Sequence, residues 1–350
     1  MEKRKVAVLG ATGIVGQMFL KMLEDHPMFD VALLSASADS AGKKYSDAVN
    51  WVLEGGIPEY AANMNVADSG ALGSGKGFDI AFSALPSEVA ETIERKLAHG
   101  GRGVFSNAAS HRMYPEVPVL IPELNAEHMA LVDNQKKKTD GFIVCNSNCT
   151  TSGIVMALKP LLKFGVKAVT VYSYQALSGA GHPGVPSLDA LGNVIPFIKD
   201  EEEKVINETR KMLGTVKGNW VVDAPIDVMA TCVRVPVRNG HLETAVVELE
   251  KEPSMEDVKK ALKGLKGMGG ALPTAPVHPL IVREEGNRPQ PSLDVMAGTP
   301  ERARGMAVSV GRLHFYGKRL RFVSLVNNLV RGAAGGAILN AEYAITEKYI

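Results

Sequence analysis

The chain has 350 residues, 45% of them hydrophobic and 22% charged, and 39 basic side chains against 38 acidic ones leave a formal net charge of +1. This is the composition of an ordinary soluble globular chain long enough for two domains, with no charge excess to draw it to nucleic acid or an anionic membrane. Three cysteines, an odd number, argue against a secreted disulfide scaffold; the N-terminal MEKRKVAVLG has no signal-peptide core, and no apolar run reaches membrane-spanning length, so we expect a cytoplasmic protein.

KVAVLG (5–10) is a nearly continuous apolar run, as a strand buried on both faces requires. Glycines at 10, 13 and 16 then open a helix that runs to about Asp25 and is stopped by Pro27. FDVALLSAS (29–37) is a second strand, which completes a βαβ unit. In GATGIVG, Gly10, Gly13 and Gly16 let backbone N–H groups approach a pyrophosphate where the helix dipole favours an anion, with Thr12, Ile14 and Val15 forming the rest of the loop. The flanking strand, helix and second strand turn a weak motif into a dinucleotide site. The second strand runs into SASADSAGKK, where Ser37, Ser40 and Lys43 suit the 2′-phosphate of NADP; Asp39, past the usual place for a ribose-binding acid, leaves NAD open.

FDIAFSALP (78–86) reads as a strand entering the helix PSEVAETIERKLAHG, and GVFSNAA (103–109) and FIVCNSN (142–148) as further strands. Strands alternating with helices predict a Rossmann-type, doubly wound parallel sheet. After Cys149 the pattern changes. TTSGIVMALKPLLKFG is a helix bent at Pro160, followed by half-buried strands at AVTVYSYQA (168–176), HLETAVVELE (241–250), GMAVSVGRLHF (305–315) and LRFVSLVN (320–327), with SMEDVKKALKG a short helix among them. This predicts an α+β domain with a mixed or antiparallel sheet, broad enough to serve as a dimer surface. GAAGGAILNAEYAITEKYI returns to helix. We expect an NADP-binding domain at 1–148 completed by a C-terminal helix at 330–350, and a catalytic and dimerisation domain at 149–329.

Two of the cysteines lie in CNSNCTTSG (145–153). Cys149 falls between a strand end and a helix starting at Thr150 or Thr151, where free N–H groups and the dipole would lower a thiol pKa and make a nucleophile. Cys145 and Cys232 read as core. There is no C-x-x-C and no cysteine–histidine cluster, so no metal site is expected. Eight histidines are available as partner. His26, His99 and His128, on helices or their ends, read as surface residues; His111, His182 and His241, in loops, could each reach the thiol, and position alone does not choose among them.

The ordered set GATGIVG, SALPSE, SNAASHRM, NSNCTTSG, QALSGAGHPGVPS, EEEK, CVRVPVRNGH and NLVRGAAGGA resembles the aspartate-β-semialdehyde dehydrogenase family, most of all its archaeal and fungal branch, from about residue 5 to the C-terminus. The resemblance implies NADPH-dependent reduction of β-aspartyl phosphate to aspartate semialdehyde and phosphate, on the route to lysine, threonine and methionine, by a homodimer or homotetramer. It implies Cys149 as nucleophile, His241 as acid/base and Gln175 beside the acyl group. Arg234 would grip the substrate carboxylate and Glu201 its amino group, with Arg112, Asn107 and Lys204 around the phosphate. Ser83, Leu85 and Pro86 of SALPSE, with Ser178, Gly179 and Asn328, would lie on the cofactor side.

These residue types suit the chemistry. A thiolate captures an acyl phosphate, phosphate leaves from a basic pocket, and hydride adds to the thioester. The oxyanion needs N–H donors, one of them from the Asn148–Cys149 turn, and His241 would protonate it. Against these roles stand plainer ones: Arg112 and Arg234 as structural arginines, Glu201 and Lys204 as a charged helix start, Gly332–Gly336 as tight helix packing. Two rival functions remain, a CoA-thioester reductase such as malonyl-CoA reductase and a non-catalytic NADP-binding sensor; the lysine of EEEK favours a phosphate over a CoA leaving group.

Overall fold

Six short strands from the first 145 residues build one parallel sheet: β1 (Arg4–Leu9), β2 (Phe29–Ala36), β3 (Val66–Asp68), β4 (Ile80–Ser83), β5 (Gly103–Ser106) and β6 (Phe142–Cys145), in the order β3-β2-β1-β4-β5-β6. These come from a computed structural model, which describes residues 2–350. β4, β5 and β6 are buried at every position, which is why their sequences are apolar without alternation. The strand order reverses beside β1, so a crevice opens at the carboxyl ends of β1 and β4, the usual seat of a dinucleotide in such sheets. β3, only three residues long, carries too little pattern to be foreseen.

The second sheet is mixed, in the order β10-β7-β11-β14-β13-β12. Its strands are β7 (Val166–Gln175), β10 (Asp227–Arg234), β11 (His241–Leu249), β12 (Leu280–Val282), β13 (Val308–Tyr316) and β14 (Arg319–Val326); β8 (Thr215–Lys217) and β9 (Trp220–Val222) form a separate hairpin. β7–β10 and β12–β13 are parallel pairs and the others antiparallel. The strands alternate buried and open positions. The buried face meets the helices Cys149–Leu158, Glu201–Met212 and Met255–Lys263, and the other face leaves Tyr172, Tyr174 and Met229 exposed. The chain after Leu158 continues as 3₁₀ turns over Lys159–Phe164, where Pro160 cannot donate to an α-helical ladder.

The C-terminal helix Gly335–Thr346 returns to the first sheet, packing Ala337, Ile338, Ala341 and Ile345 into the core that holds Val8, Phe82 and Phe105. A π-helical turn, Val330–Ala334, leads into it. Among the described residues no helix is long and apolar enough to cross a membrane.

Two of the histidines expected at the surface are fully buried. His26 pairs with Glu342 at 2.9 Å and accepts the Met28 N–H at Nδ1, while His128 lies between Asn125 and the Gly214 carbonyl. Each ring has polar partners for both nitrogens, and that is what lets a histidine sit in a core. His99 is exposed.

Candidate active site

The turn after β6 is held from its own side chains. Asn148 caps the following helix, its Oδ1 accepting from the N–H groups of Thr150 at 2.9 Å and Thr151 at 3.1 Å. The helix therefore begins at Cys149 itself, one or two residues earlier than the sequence suggests. The Thr151 amide goes to this cap, and the Thr150 amide is shared between the cap and the sulfur, whose anion it still favours. The Asn148 N–H is also taken, by Glu208 Oε2 at 2.6 Å, which leaves the Cys149 N–H as the donor of this turn with no protein acceptor among the described residues. Gly332 closes over Cys149: a Cβ there would stand 2.5 Å from Cys149 Cβ. A Cβ on Gly336 would meet Asn146 Oδ1 at the same distance, so the tight-packing role of these glycines is real, and what they pack against is the Asn146–Cys149 turn.

His241 opens β11, where pairing with β14 sets it opposite Val326 and pairing with β7 sets its neighbour Leu242 opposite Tyr174. Its Nε2 lies 3.1 Å from Cys149 Sγ. The Ala176 N–H donates to Nδ1 at 3.0 Å, so Nδ1 must be unprotonated and the ring proton sits on Nε2, pointing at the sulfur. Burial, then the Arg234 charge, hold the imidazole down to about 3, so the ring stays neutral. The thiol goes the other way: burial and Glu201 push Cys149 up to about 12, against the pull of Arg112, the Thr150 amide and Arg234. The expected lowering by the helix start is thus outweighed in the free protein, because desolvation of the anion exceeds what one turn of amides, partly spent on the Asn148 cap, returns. His111 is buried with Nε2 3.3 Å from Glu94, and His182 is exposed.

The parallel pairing of β7 with β10 puts Gln175 directly opposite Arg234, at the strand ends next to His241. Gln175 donates to Glu201 Oε1 at 2.8 Å, and the same oxygen takes the Asn148 amide at 3.0 Å. Arg234 donates to the Ala176 carbonyl at 2.8 Å and has its other N–H groups free of protein acceptors among the described residues. Gly179 lies against both: a Cβ there would meet Arg234 Nη1 at 2.8 Å and His241 Cε1 at 2.9 Å. Arg112 is buried and already engaged, through Nη1 to Glu208 at 2.9 Å and Nη2 to the Asn107 carbonyl at 2.7 Å. The Asn107 side chain bridges the Ser83 carbonyl and Asn146. Lys204 is half-buried and has no carboxylate partner among the described residues.

Across the crevice, Gly10 has φ +72°, and a Cβ on it would lie 2.6 Å from the Ala84 carbonyl; on Gly16 it would lie 2.2 Å from the Gly10 carbonyl. Gly13 is exposed and caps the helix Ile14–Leu23 without a side-chain bond, so the N–H groups of Ile14 and Val15 face open space. Ser37 and Lys43 are exposed and Ser40 is half-buried, on the rim beyond β2. Pro86 is exposed and Leu85 buried; Ser83 is fully buried, its carbonyl bonded twice to Asn107 and its hydroxyl without a hydrogen-bond partner among the described residues. On the second-sheet side, Asn328 donates to Ser178 Oγ and accepts the Gly240 N–H, both at 2.8 Å.

Sequence reasoning missed Glu208 and Lys211. Glu208 stands seven residues after Glu201, two turns along one helix face, and that spacing was the available signal. Among the described residues no group of three or more His, Cys, Asp or Glu could hold a metal ion. The arrangement offers a half-buried sulfur, a neutral N–H donor against it, and two arginines whose charges act on that sulfur.

Residues 5–132 match the family model "Semialdehyde dehydrogenase, NAD binding domain", and residues 158–331 match "Semialdehyde dehydrogenase, dimerisation domain". A protein of Archaeoglobus fulgidus named aspartate-semialdehyde dehydrogenase is 49% identical over 348 residues, covering 99% of each chain. A protein of Metallosphaera sedula named malonyl CoA reductase (NADP) is 39% identical, covering 99% of this chain and 98% of its own. The crystal structure of aspartate semialdehyde dehydrogenase with NADP from Candida albicans superposes with a TM-score of 0.90 at 38% identity, over 99% of this chain and 100% of that one.

Proposed function

The chain belongs to the semialdehyde dehydrogenase family, and from that premise we propose that it is an NADP-dependent aspartate-semialdehyde dehydrogenase, reducing β-aspartyl phosphate to aspartate β-semialdehyde and phosphate through a thioester on Cys149. The carrying observation is the 3.1 Å contact between Cys149 Sγ and His241 Nε2, within reach of the fields of Arg112 and Arg234.

The glycine turn supports NADP: a Cβ on Gly10 or Gly16 would strike the Ala84 or Gly10 carbonyl, so only glycine lets the turn close this tightly, and the uncapped start of Ile14–Leu23 favours a pyrophosphate. Gly10, Thr12, Gly13, Ile14, Val15 and Gly16 would hold that group, Ser37, Ser40 and Lys43 the 2′-phosphate, and Leu85, Pro86, Ser178, Gly179 and Asn328 the remainder. When bound, NADPH supplies the hydride.

The protein's own residues do the rest. The Cys149 sulfur attacks the acyl carbon as its S–H proton passes to the phosphate, which leaves toward Arg112 and Lys204 with Asn107 beside them. Arg234 and Glu201 orient the substrate carboxylate and amino group, and Gln175 the acyl group. His241, neutral and carrying its proton on Nε2, supports a donor's role. It hydrogen-bonds first to the sulfur and then, with the Cys149 N–H, to the thioester oxygen as charge develops. This refines the acid/base role inferred from the motif, because a ring whose Nδ1 already accepts the Ala176 amide is poorly suited to collect a second proton.

We assign residues 1–148 and 330–350 to cofactor binding and 149–329 to catalysis and dimerisation, a division supported by the return of Gly335–Thr346 to the first sheet. The dimerisation-domain match indicates an oligomer. The exposed face around Tyr172, Tyr174 and Met229 is the surface we assign to a homodimer, or to each pair within a homotetramer, in the cytoplasm.

The test is turnover. With aspartate semialdehyde, NADP and phosphate, NADPH absorbance should rise. Silence there together with NADPH consumption on malonyl-CoA would replace this reading with the CoA-thioester one, which the Metallosphaera sedula relative keeps in view. Silence in both with NADP still bound would favour a sensor.

A further inference from the structure

The carboxylate of Glu208 is 1% exposed and its two oxygens serve two different parts of the site. Oε1 takes Arg112 Nη1 at 2.9 Å, and Oε2 takes the Asn148 N–H at 2.6 Å. The first partner is 96 residues away in sequence and the second 60. We propose that Glu208 is a positioning residue that ties the phosphate-binding arginine to the nucleophile turn, so that the leaving-group site and the attacking sulfur are set by one side chain. The proposal rests on the function given above, since it takes Arg112 to meet phosphate and Cys149 to attack.

The helix Glu201–Met212 makes this more than an isolated ion pair. Two turns before Glu208, Glu201 holds the Asn148 side chain and Gln175. Three residues after it, the buried Lys211 ammonium donates to the carbonyls of Arg112 at 2.6 Å, Tyr114 at 2.8 Å and Val117 at 2.9 Å. Glu208 therefore works from a helix that is itself anchored to both the segments it joins. It fixes the Asn148 main chain while Glu201 fixes the Asn148 side chain, so the residue that caps the nucleophile helix has no free direction in which to shift. Arg112 in turn is clamped between Glu208 and the Asn107 carbonyl, which points its guanidinium before any phosphate arrives.

The electrostatics add a readout. The Arg112 charge favours the Cys149 thiolate, and Glu208 is the counter-charge that tempers it. Glu208→Gln keeps the shape and removes the charge, and its single amide oxygen cannot serve both Arg112 and Asn148. Glu208→Asp keeps the charge but is one methylene too short to hold both contacts.

The experiment measures three things for each variant: kcat and the KM for phosphate in the phosphorylating direction, the pH profile of Cys149 alkylation by iodoacetamide, and Tm. We expect Glu208→Asp to lose about tenfold in kcat with its alkylation profile unmoved. Glu208→Gln should lose at least as much, change its phosphate KM about fivefold, and shift its alkylation profile to lower pH. A purely structural Glu208 would lower Tm alone. If Glu208→Gln does not fold, Glu208→Asp carries the test. A folded variant with kcat and phosphate KM within twofold of the parent would overturn the proposal, as would an unmoved profile in folded Glu208→Gln. Alkylation needs no substrate, so it judges Glu208 even if the parent protein fails to turn over aspartate semialdehyde.

Discussion

Gly332→Ala tests how tightly the nucleophile is held. The added Cβ would stand 2.5 Å from Cys149 Cβ and 2.9 Å from Cys149 Cα, where an ordinary contact begins at 3.4 Å. The two segments must part by about 1 Å. Neither atom belongs to a flexible side-chain tip. Cys149 is the first residue of its helix, and the preceding Asn148 is gripped by Glu208 and Glu201, while the Gly332 N–H is bonded to the Asn327 carbonyl at 2.9 Å. Displacing a reacting atom by about 1 Å costs on the order of a hundredfold in rate, or about 2.7 kcal/mol. The overpacking itself costs about 1–3 kcal/mol of stability. We therefore expect kcat, followed by NADPH absorbance, to fall about a hundredfold, with Tm lower by a few degrees and NADP affinity, read by fluorescence titration, unchanged. A variant that keeps kcat within threefold of the parent would refute the reasoning, because the sulfur would then tolerate the displacement.

Cys149→Ser should lower turnover by at least about a thousandfold and leave NADP binding intact; retained turnover would remove Cys149 as the nucleophile. Because burial pushes the Cys149 thiol up to about 12, its alkylation in the free protein should quicken about tenfold per pH unit between pH 7 and 9, and a plateau below pH 8 would show a thiolate already formed. His241, held down to about 3, should add no limb to the pH–rate profile between pH 5 and 8, and imidazole ¹⁵N shifts should report a proton on Nε2. Glu94, bonded to Ser106 and facing His111, is raised by burial from 4.5 to about 7. A carboxyl whose folded value lies above its unfolded one loses stability as pH rises between the two, here by up to about 3 kcal/mol. Glu94→Gln should therefore raise Tm relative to the parent more at pH 8 than at pH 5, and an equal difference at both would contradict the assignment.

Much of this protein is written in short-range pattern. The G-x-x-G-x-x-G spacing, the apolar strands before and after it, and the alternation in residues 168–176 and 241–250 are consequences of local geometry, so the sequence by itself determined the dinucleotide crevice, the change to a second sheet, and the separate parts of Cys145 and Cys149. The motif resemblance, carried by runs of several residues each, singled out Cys149 and His241, which the fold sets 3.1 Å apart.

Tertiary structure decided which groups answer one another. The three loop histidines, His111, His182 and His241, were equivalent candidates by position until strand pairing set His241 against the sulfur, and packing buried His26 and His128, which had read as surface residues. The Glu201 and Glu208 contacts that hold the capping Asn148, the Ala176 amide that chooses the imidazole tautomer, and the burial that raises the thiol all depend on neighbours brought in from other elements. Glu208 shows the reason most plainly. In sequence it is one more acid in a charged helix, and its function arises only where folding desolvates it between Arg112 and Asn148, since a carboxylate's strength as a partner is set by the water removed around it and not by its position in the chain.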